Sequence, residues 1–566
     1  MAEYLSPGVY VEEYDSAARA IEGVGTSTAG FVGLAEKGPT IGAPVFVGNF
    51  SEFSRIFGGF LTDYAFGEYR YLANAVEQFF VNGGTRCFVS RVIPKGAVCA
   101  TKKVKGLTIT AANEGKWGNR IQVFLSTATR KKIQIVAENK DGSYQAKNLD
   151  GVLEGDVVCI GNEYNKVATI FDNTITFESK FKTKIVDDSL VPKVCLYLVT
   201  TDIVVRYKDE VEKYSDVSFN INSSSYIVAR LERSEIVAVE YTPAKEVGNP
   251  VELLLGAGNA DGVITLEGGN DGNVASIGAQ TFLGEDGGPG KRTGIQSFVE
   301  NNVVSMMAVP GVTIPEVMVG LVGHCEITKS RVAVLDMPKE YTKLNELIEY
   351  RGMIDSTYAA MYHPWIQVLD RSADKPGFVP PSGAVMGVYS RTDINRGVHK
   401  APANETIFAT GLKTNYTKNE QDMLNPEGIN LIRALPGQGI RIWGARTAST
   451  NASFKYINVR RLFIFIEESI KANTNWVVFE PNDSGLWARL NLSISSFLDS
   501  CWRMGMLAGD TPQEAFFVDI GPNTMTRDDI DNGRLICNIG IAPSKPAEFV
   551  IFRVTQHTSE AGGGEG

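Results

Sequence analysis

The chain has 566 residues, of which 55 are Lys or Arg and 65 are Asp or Glu, giving a formal charge of -10. One hydrophobic core rarely supports so long a chain, so several domains are expected, and an apolar content of 43% excludes a wholly disordered protein. The acidic balance argues against a general nucleic-acid binder, because such proteins carry a basic surface.

The N-terminal part of the chain predicts an extended strand followed by an α/β unit. Residues 6–14 (SPGVYVEEY) are rich in the β-branched and aromatic types that suit a pleated surface. Next come a buried strand at 28–35, a helix at 51–57 capped by Ser51, a helix at 69–80 and a strand at 87–93. Strand, helix and strand in succession indicate an α/β fold.

The middle of the chain has a different pattern. Helical periodicity fades between residues 94 and 250, where short β-rich runs alternate with Gly, Asn and Asp, and residues 256–294 are Gly-rich and are predicted to be loop. Alternating elements then return, with strands predicted at 303–310, 331–337 and within 358–369, and helices at 315–325 and 343–354. This alternation predicts a mainly parallel sheet.

The C-terminal third mixes long helices with short strands. Apolar stripes predict helices at 458–472 and 486–507, and β-rich runs predict strands at 476–480, 534–541 and 549–556. The fold class is therefore α/β and α+β multidomain, with a mixed α/β core, a β-rich surface insertion and extended strand arms at both ends.

No motif in the chain predicts catalysis, a cofactor or a metal. The four histidines have no metal-ligand spacing. The stretch Gly287-Gly-Pro-Gly-Lys291 lacks the first Gly and the Ser or Thr of a phosphate loop, and Gly437-Gln-Gly439 lacks the third Gly of a dinucleotide fingerprint. We therefore expect no catalytic, cofactor-binding or metal residues. The lack of such motifs favours a binding or structural function.

The sequence also gives expectations about where the protein is made. The first residues lack a basic segment followed by an apolar run, and no stretch of 18 apolar residues exists. The seven scattered cysteines are expected to be buried free thiols rather than a disulfide framework. These features predict synthesis and folding in the cytoplasm, without membrane insertion.

Both ends of the chain carry strands set apart from the body. A terminal strand has unpaired backbone groups along its edges. It can pair within its own chain, which is the simpler reading, or it can extend a sheet in a neighbouring chain.

Long strings in the chain resemble the tail-sheath proteins of contractile phage tails and related bacterial injection particles. In the C-terminal third they are residues 435–447 (LPGQGIRIWGART), 456–469 (YINVRRLFIFIEES), 476–482 (WVVFEPN) and 545–552 (KPAEFVIF). Upstream, residues 6–13 (SPGVYVEE) and 400–405 (KAPANE) are similar to the same family. The nearest resemblance is to phage-tail-like extracellular injection systems, and residues 94–250 resemble the family least.

This resemblance implies a structural subunit that is not an enzyme. Family members stack as hexameric rings around an inner tube and contract to drive the tube through a target envelope. The implied partners are further sheath subunits, the tube protein, and baseplate and cap proteins, with no direct contact to nucleic acid and no cofactor. The particle to which the subunit belongs is assembled in the cytoplasm and then released.

The resemblance also implies which residues connect neighbouring subunits. Two arms would add strands to neighbouring subunits: an N-terminal arm with Gly8, Val9, Tyr10, Val11, Glu12 and Tyr14, and a C-terminal arm with Phe549, Val550, Ile551, Phe552 and Val554. Candidates for the tube-facing surface are Arg489 and Arg503. The basic stretch Arg433, Arg441, Arg446, Arg460 and Arg461 is an alternative, although most of these arginines are expected to pair with carboxylates.

The resulting domain plan has six parts. They are an N-terminal arm (1–20), the first part of the sheath core (21–93), an outward-facing β-rich insertion (94–250), an α/β domain (251–430), a C-terminal sheath domain (431–545), and the C-terminal arm with a disordered tail (546–566). Two other functions stay open on the sequence. They are an α/β enzyme with a β-rich accessory domain and a surface adhesin built on the insertion.

Overall fold

The computed structural model of the protein describes residues 20–185, 195–243 and 246–551. Of the arm residues predicted above, Phe549, Val550 and Ile551 fall within these ranges. The N-terminal arm residues, Phe552 and Val554 lie outside the described residues.

Residues 29–92 form the first part of the core. Its elements are β1 (Ala29–Leu34), β2 (Val45–Val47), α1 (Phe50–Phe57), α2 (Asp63–Phe66), α3 (Leu72–Val81) and β3 (Cys87–Val92), with a 3-10 turn at Gly67–Tyr69. The cap of α1 is Asn49 and not the predicted Ser51, because Asn49 is extended and its side chain accepts a hydrogen bond from the backbone N–H of Glu52.

Residues 97–271 form the β-rich part of the chain. Its elements are β4 (Ala97–Val98), β5 (Thr101–Val104), β6 (Leu107–Ala111), β7 (Gln122–Ile133), β8 (Ile135–Glu138), β9 (Tyr144–Ala146), β10 (Val157–Ile160), β11 (Glu163–Phe171), β12 (Thr174–Phe177), β13 (Leu196–Tyr207), β14 (Glu210–Val217), α4 (Ile227–Leu231), β15 (Val237–Tyr241), α5 (Pro250–Leu255), β16 (Asp261–Thr265) and β17 (Asn270–Asp271), with a 3-10 turn at Lys116–Arg120.

Residues 274–442 return to alternating strands and helices. The elements are α6 (Ala279–Leu283), β18 (Met306–Ala308), α7 (Pro315–Thr328), β19 (Val332–Asp336), α8 (Leu344–Arg351), β20 (Ala359–His363), β21 (Ile366–Asp370), β22 (Lys375–Val379), α9 (Ser382–Arg396), β23 (Glu405–Thr406), β24 (Gly411–Leu412), α10 (Lys418–Leu424), β25 (Ile429–Leu435) and β26 (Gly439–Ile442), with 3-10 turns at Val274–Ser276 and Gly294–Phe298.

Residues 452–541 form a helical unit with one hairpin. The elements are α11 (Ile457–Asn473), α12 (Ser484–Arg503), α13 (Pro512–Ala515), β27 (Phe516–Ile520), α14 (Arg527–Asp531) and β28 (Cys537–Ile541), with 3-10 turns at Ala452–Phe454 and Asn475–Val477.

The central sheet is mostly parallel, as the alternation of strands and helices predicts. Its order is β2-β3-β1-β18-β19-β20-β25-β26-β23. The six strands from β3 to β25 are parallel to their neighbours, and antiparallel strands close both edges. The predicted mixed α/β fold class is therefore confirmed.

Helices cover both faces of the central sheet. One buried cluster packs α1, α3 and α9 against the sheet, and a second packs α6, α7 and α8 against the opposite face. Helices α3 and α9 approach closely at Gly383, where an added Cβ would lie 2.2 Å from the backbone oxygen of Ala75. Only glycine permits this contact, so the two helices are held as one layer.

The β-rich part is fastened to the core by charged and polar contacts. Buried Lys37 binds Glu210 of β14 at 2.6 Å, and Lys208 binds Glu36 at 2.9 Å. Arg91 of β3 is buried, and its guanidinium donates to the carbonyl oxygens of Ala35, Gly38 and Glu114. Because these contacts lie on both sides of the junction, the β-rich part has a fixed orientation on the core.

Two predicted regions differ from the structure. The predicted loop at 256–294 contains β16, which pairs with β7, and β17, which pairs with β4, so β structure continues past residue 250. The predicted strand at 476–480 is instead a 3-10 turn, Asn475–Val477, followed by Phe479 in a left-handed conformation. Strand β25 spans residues 430 and 431, where one domain boundary is predicted, and the division into domains stays a proposal.

Candidate functional site

The first described residues, 20–28, form an N-terminal root that lies along α11. The backbone N–H of Val24 donates to Ser469 Oγ (3.1 Å), and Asn473 Nδ2 donates to the backbone oxygen of Glu22 (2.9 Å). Ile21 and Val24 also pack against the apolar cluster between α11 and α12. Residues 20–28 are thus anchored at the C-terminal end of α11.

A buried ion pair completes the N-terminal root. Arg461 of α11 and Asp393 of α9 form two hydrogen bonds and are 3% and 4% exposed. Arg461 also donates to the backbone oxygen of Thr26 (3.0 Å), and the Thr26 hydroxyl donates to Asp393 (2.6 Å). Burial alone lowers the pKa of Arg461, but the charge of Asp393 outweighs it and raises the pKa. Arg461 therefore stays charged and joins α9, α11 and the root.

The C-terminal root, residues 545–548, is held by one carboxylate. Glu548 accepts two hydrogen bonds from Arg446 (both 2.8 Å), one from Asn425 Nδ2 (2.7 Å) and one from the Tyr456 hydroxyl (2.8 Å), and Lys455 lies 3.3 Å away. Burial raises the pKa of Glu548, but these donors, Arg446 first, lower it to about 2. Glu548 is therefore ionised at neutral pH.

Beyond Glu548 the chain points into solvent. Phe549, Val550 and Ile551 are 71%, 70% and 78% exposed, and none of the three belongs to a strand. Three consecutive exposed apolar residues are unfavourable in water unless another surface covers them. The described part of the predicted C-terminal arm is therefore not paired within its own chain, and pairing with a neighbour stays a prediction.

The two roots are anchored at opposite ends of α11. Glu548 binds Tyr456, directly before the helix, and Val24 and Glu22 bind Ser469 and Asn473 in its last turns. At 1.5 Å per residue, the anchors are roughly 20 Å apart along the helix. The sequence showed the two arms but not this shared support, because Glu548 is 102 residues from Arg446.

Strands β27 and β28 form an antiparallel hairpin with one open edge. The N–H of Ala542 donates to Ala515 O (2.8 Å), next to the Phe516–Ile541 pair, so the N–H and C=O groups of Cys537, Ile539 and Ile541 point away from β27. The outer edge of β27 faces α12, where Asn491 donates to Val518 O (3.1 Å). The edge of β28 is the one that can accept a further strand.

An apolar groove of about 730 Å³ runs beside this edge. Its walls come from the end of α11, the turn after it, the first half of α12 and the β28 edge. The lining residues are Ile470, Thr474, Val477, Val478, Phe479, Glu480, Asn482, Leu486, Leu490, Ile494, Gly533, Leu535, Cys537 and Ile539. A strand added to β28 would place alternate side chains in this groove.

The predicted tube-facing arginines both pair with carboxylates. Arg489 lies 3.6 Å from Glu480, and Arg503 binds Asp499 one helical turn away (2.7 Å). Within the basic stretch, Arg446 and Arg461 pair with carboxylates as expected. Arg433, Arg441 and Arg460 instead bind neutral groups. The tube-facing assignment stays a prediction.

Among the described residues, the buried polar groups beside the sheet and the N-terminal root have structural partners. At the carboxyl end of β19, Asp336 is buried and accepts bonds from Gly311 N (3.0 Å), Ser382 N (2.8 Å) and Ser382 Oγ (2.7 Å), so it pins two loops to the sheet. A cavity of about 420 Å³ beneath the N-terminal root is lined by Arg461 and Lys471. Arg461 and Lys471 are already paired with Asp393 and Glu468, and Arg86 is a third cation in this lining.

The described ranges contain no cluster of three His, Cys, Asp or Glu side chains arranged to hold a metal ion. In the same ranges, no helix combines the length and the apolar character needed to cross a membrane. Cys87, Cys159, Cys325 and Cys501 are buried free thiols, as the sequence predicts.

Comparison with known proteins points to one family. A family model for the phage tail sheath protein central domain matches residues 287–448, and one for the phage tail sheath C-terminal domain matches residues 449–557. The chain is 26% identical over 220 residues to the tail sheath protein of Salmonella phage ViI, which is 37% of this chain and 33% of that protein. It is 26% identical over 208 residues to the tail sheath protein of Burkholderia phage BcepMu, which is 35% of this chain and 42% of that protein.

The fold is also that of a solved sheath. The sheath complex of the extracellular contractile injection system PVC, in its contracted state, has a TM-score of 0.53 and 21% identity, covering 98% of this chain and 99% of that chain. In the curated phage relatives, by contrast, the match spans only about a third to two fifths of their length. The domain matches and the fold both indicate a protein that resembles the sheath subunits of contractile phage tails. Residues 287–557 therefore carry the central and C-terminal domains of the phage tail sheath family.

Proposed function

We propose that this subunit polymerises as stacked hexameric rings around an inner tube and contracts to drive that tube through a target envelope. The observation that supports the proposal is that one chain has both a segment that can be donated as a strand and a sheet edge that can accept one. An exposed apolar segment leaves the C-terminal root, and β28 presents an open edge beside an apolar groove. Each subunit can thus both give and receive a strand.

Strand addition to β28 would form a stable link that can be repeated between each pair of neighbouring subunits. The edge offers three N–H and three C=O groups, and each backbone hydrogen bond contributes about 0.5–1.5 kcal/mol net. Burial of the side chains of Phe549 and Ile551 adds about 1.5–3 kcal/mol for each residue that is fully covered. The N-terminal arm, Gly8 to Tyr14, would add a strand to another neighbour in the same way.

Contraction in this proposal is a rigid-body movement between two packings of linked subunits. The core sheet, its helical layers and the β-rich part are each held by buried contacts, so bending is left to the short connections between the roots and the arms. The energy is stored during assembly and needs no bound nucleotide or other cofactor. The subunit itself is not an enzyme.

The proposed partners are further copies of the chain, the inner tube protein, and baseplate and cap proteins. Arg489 and Arg503 remain candidates for the tube-facing surface, and nucleic acid is not contacted directly. The particle is assembled in the bacterial cytoplasm and belongs to a phage-tail-like injection system.

Removal of residues 1–15 tests the proposal. The truncated subunit keeps residues 20–28 and their contacts with α11, so it is expected to fold with a circular dichroism spectrum and thermal midpoint close to those of the full chain. Without the N-terminal arm it is expected to form no long sheaths, whereas the full chain forms striated hollow cylinders in negative-stain micrographs.

Phe171→Ser provides the matched control. Phe171 is exposed at the end of β11 in the β-rich part, away from both roots, so this variant should build cylinders of normal length. Normal tubular particles from the truncated subunit would show that the N-terminal arm does not link subunits.

A further inference from the structure

One residue beside the groove has a backbone conformation that its side chain disfavours. Phe479 has φ = 68° and is 103% exposed. Left-handed φ is common for glycine and uncommon for bulky residues, because Cβ crowds the following carbonyl oxygen. No packing within the described residues compensates for this strain, since the ring lies entirely in solvent.

The turn that carries Phe479 is held in place from both sides. The backbone N–H of Glu480 donates to Val477 O (3.2 Å). Asn482 accepts from Trp487 Nε1 of α12 (2.8 Å) and donates to Arg534 O (3.1 Å), just before β28. The backbone of Phe479 is therefore held at the rim of the groove, and its exposed ring is left free to move over a strand that lies there.

We propose that Phe479 closes over the C-terminal arm of a second copy of this chain after that arm has added to β28. This inference rests on the proposed strand exchange and assigns the residue that retains the strand. Val478, Phe479 and Glu480 form one wall of the groove, and Leu490, Ile494 and Ile539 form its floor and opposite side. An apolar strand lying between them would be covered by the ring of Phe479.

Charge selects the C-terminal arm as the occupant. Residues 549–556 (FVIFRVTQ) carry one charge, on Arg553, and alternate apolar side chains on both faces. The N-terminal arm carries Glu12, Glu13 and Asp15. The groove is mostly apolar, so the N-terminal arm would bring its carboxylates into an apolar environment, which is unfavourable for unpaired charges.

The exposed part of the arm indicates that it serves a neighbour and not its own subunit. Phe549, Val550 and Ile551 lie in solvent outside the groove. Glu548 is bound to Tyr456 before α11, and the groove begins at Ile470, about 21 Å further along the helix. These three residues therefore do not occupy the groove of their own subunit, and the groove of a second copy could cover them.

A binding experiment with a labelled peptide tests the proposal. A fluorescein-labelled peptide of residues 546–557 is titrated with the full chain, diluted until it is monomeric, and binding is followed by fluorescence anisotropy. We expect Phe479→Gly to raise the dissociation constant about tenfold while the thermal midpoint stays equal or rises, because glycine relieves the left-handed strain. Phe479→Trp should bind like the unaltered protein. Phe171→Ala, which removes an exposed ring elsewhere, should also leave binding unchanged.

The outcomes separate this inference from the proposed function. Binding of the unaltered peptide, together with no binding of an Ile551→Asp peptide, would show that the arm docks. If the Phe479→Gly protein then binds the unaltered peptide as tightly as the unaltered protein does, Phe479 does not retain the arm. If the peptide of residues 546–557 does not bind the unaltered protein, docking at the groove is wrong and the inference falls with it. Preferential binding of a peptide of residues 5–16 would overturn the assignment of the occupant.

Discussion

Replacing Arg461 by methionine is expected to lower the free energy of unfolding by about 3–5 kcal/mol, because it leaves the carboxylate of Asp393 buried without a partner. The same change removes the bond from Arg461 to Thr26 O. Residues 20–28 should then detach from α11 and become sensitive to a protease well before the core does. Urea unfolding and limited proteolysis followed by mass spectrometry measure the two effects.

The loss of stability caused by Arg461→Met must be distinguished from the loss that removal of any arginine would cause. Arg503→Met is the control, since Arg503 makes an exposed pair with Asp499 that contributes about 0–1 kcal/mol. A second test removes both charges, with Arg461→Met and Asp393→Leu together, and should recover part of the lost stability. Equal stability of Arg461→Met and Arg503→Met would contradict a buried, root-holding ion pair.

Much of the core was predictable because its signals are local. The runs that became β1, β3 and β19 are mostly apolar, as strands buried on both faces are, and their polar residues Ser90, Arg91 and Asp336 are buried with them. The stripes of α11 and α12 follow helical periodicity. In these elements, local propensity and tertiary environment favour the same structure, so a pattern a few residues long was sufficient.

The errors arose where distant parts of the chain decide the structure. Strand β16 lies in a Gly-rich stretch and exists because β7, more than a hundred residues earlier, offers it an edge. The apolar run 476–480 has the composition of a strand, but a turn between α11 and α12 requires it to reverse direction, and Phe479 takes a left-handed φ to do so. Composition does not contain either constraint.

The candidate site was predictable only in outline. Terminal strand composition and the family resemblance pointed to the two arms, and the exposed residues Phe549, Val550 and Ile551 belong to one of them. The anchors did not follow from the sequence. Glu548 is one of 65 acidic residues, and nothing local to it indicates that Arg446, Asn425 and Tyr456 converge on it.

Glu548→Gln is expected to shorten the assembled sheaths severely while leaving the subunit folded. The substitution keeps the size of the side chain but replaces the two-bond ion pair to Arg446 with weaker neutral bonds. Residues 545–551 would then leave the body in no fixed direction, and the arm could not align with a neighbouring β28. Negative-stain microscopy of assemblies and circular dichroism of the subunit give the two readouts. Glu178→Gln, which alters an exposed pair with Lys166 in the β-rich part, is the matched control.

The pH dependence of the anchor follows from the lowered pKa of Glu548. The pKa falls from an ordinary 4.5 to about 2, so the contribution of Glu548 to stability is complete above pH 4.5 and is lost as the pH falls through about 2. Acid titration of the unaltered subunit should therefore show a loss of stability between pH 4.5 and 2 that is smaller in Glu548→Gln. An identical acid profile for both proteins would exclude Glu548 as the anchor.

Combining the two substitutions tests whether the roots act as one unit. Arg461 and Tyr456 lie on and beside the same helix, so α11 connects the N-terminal root to the C-terminal root within each subunit. If a load passes from one neighbour to the next along this helix, loss of either root interrupts it. Arg461→Met with Glu548→Gln should then assemble no worse than the more defective single variant, while their losses of subunit stability add, because the sites are distant. Additive defects in assembly would mean that the two arms link subunits independently.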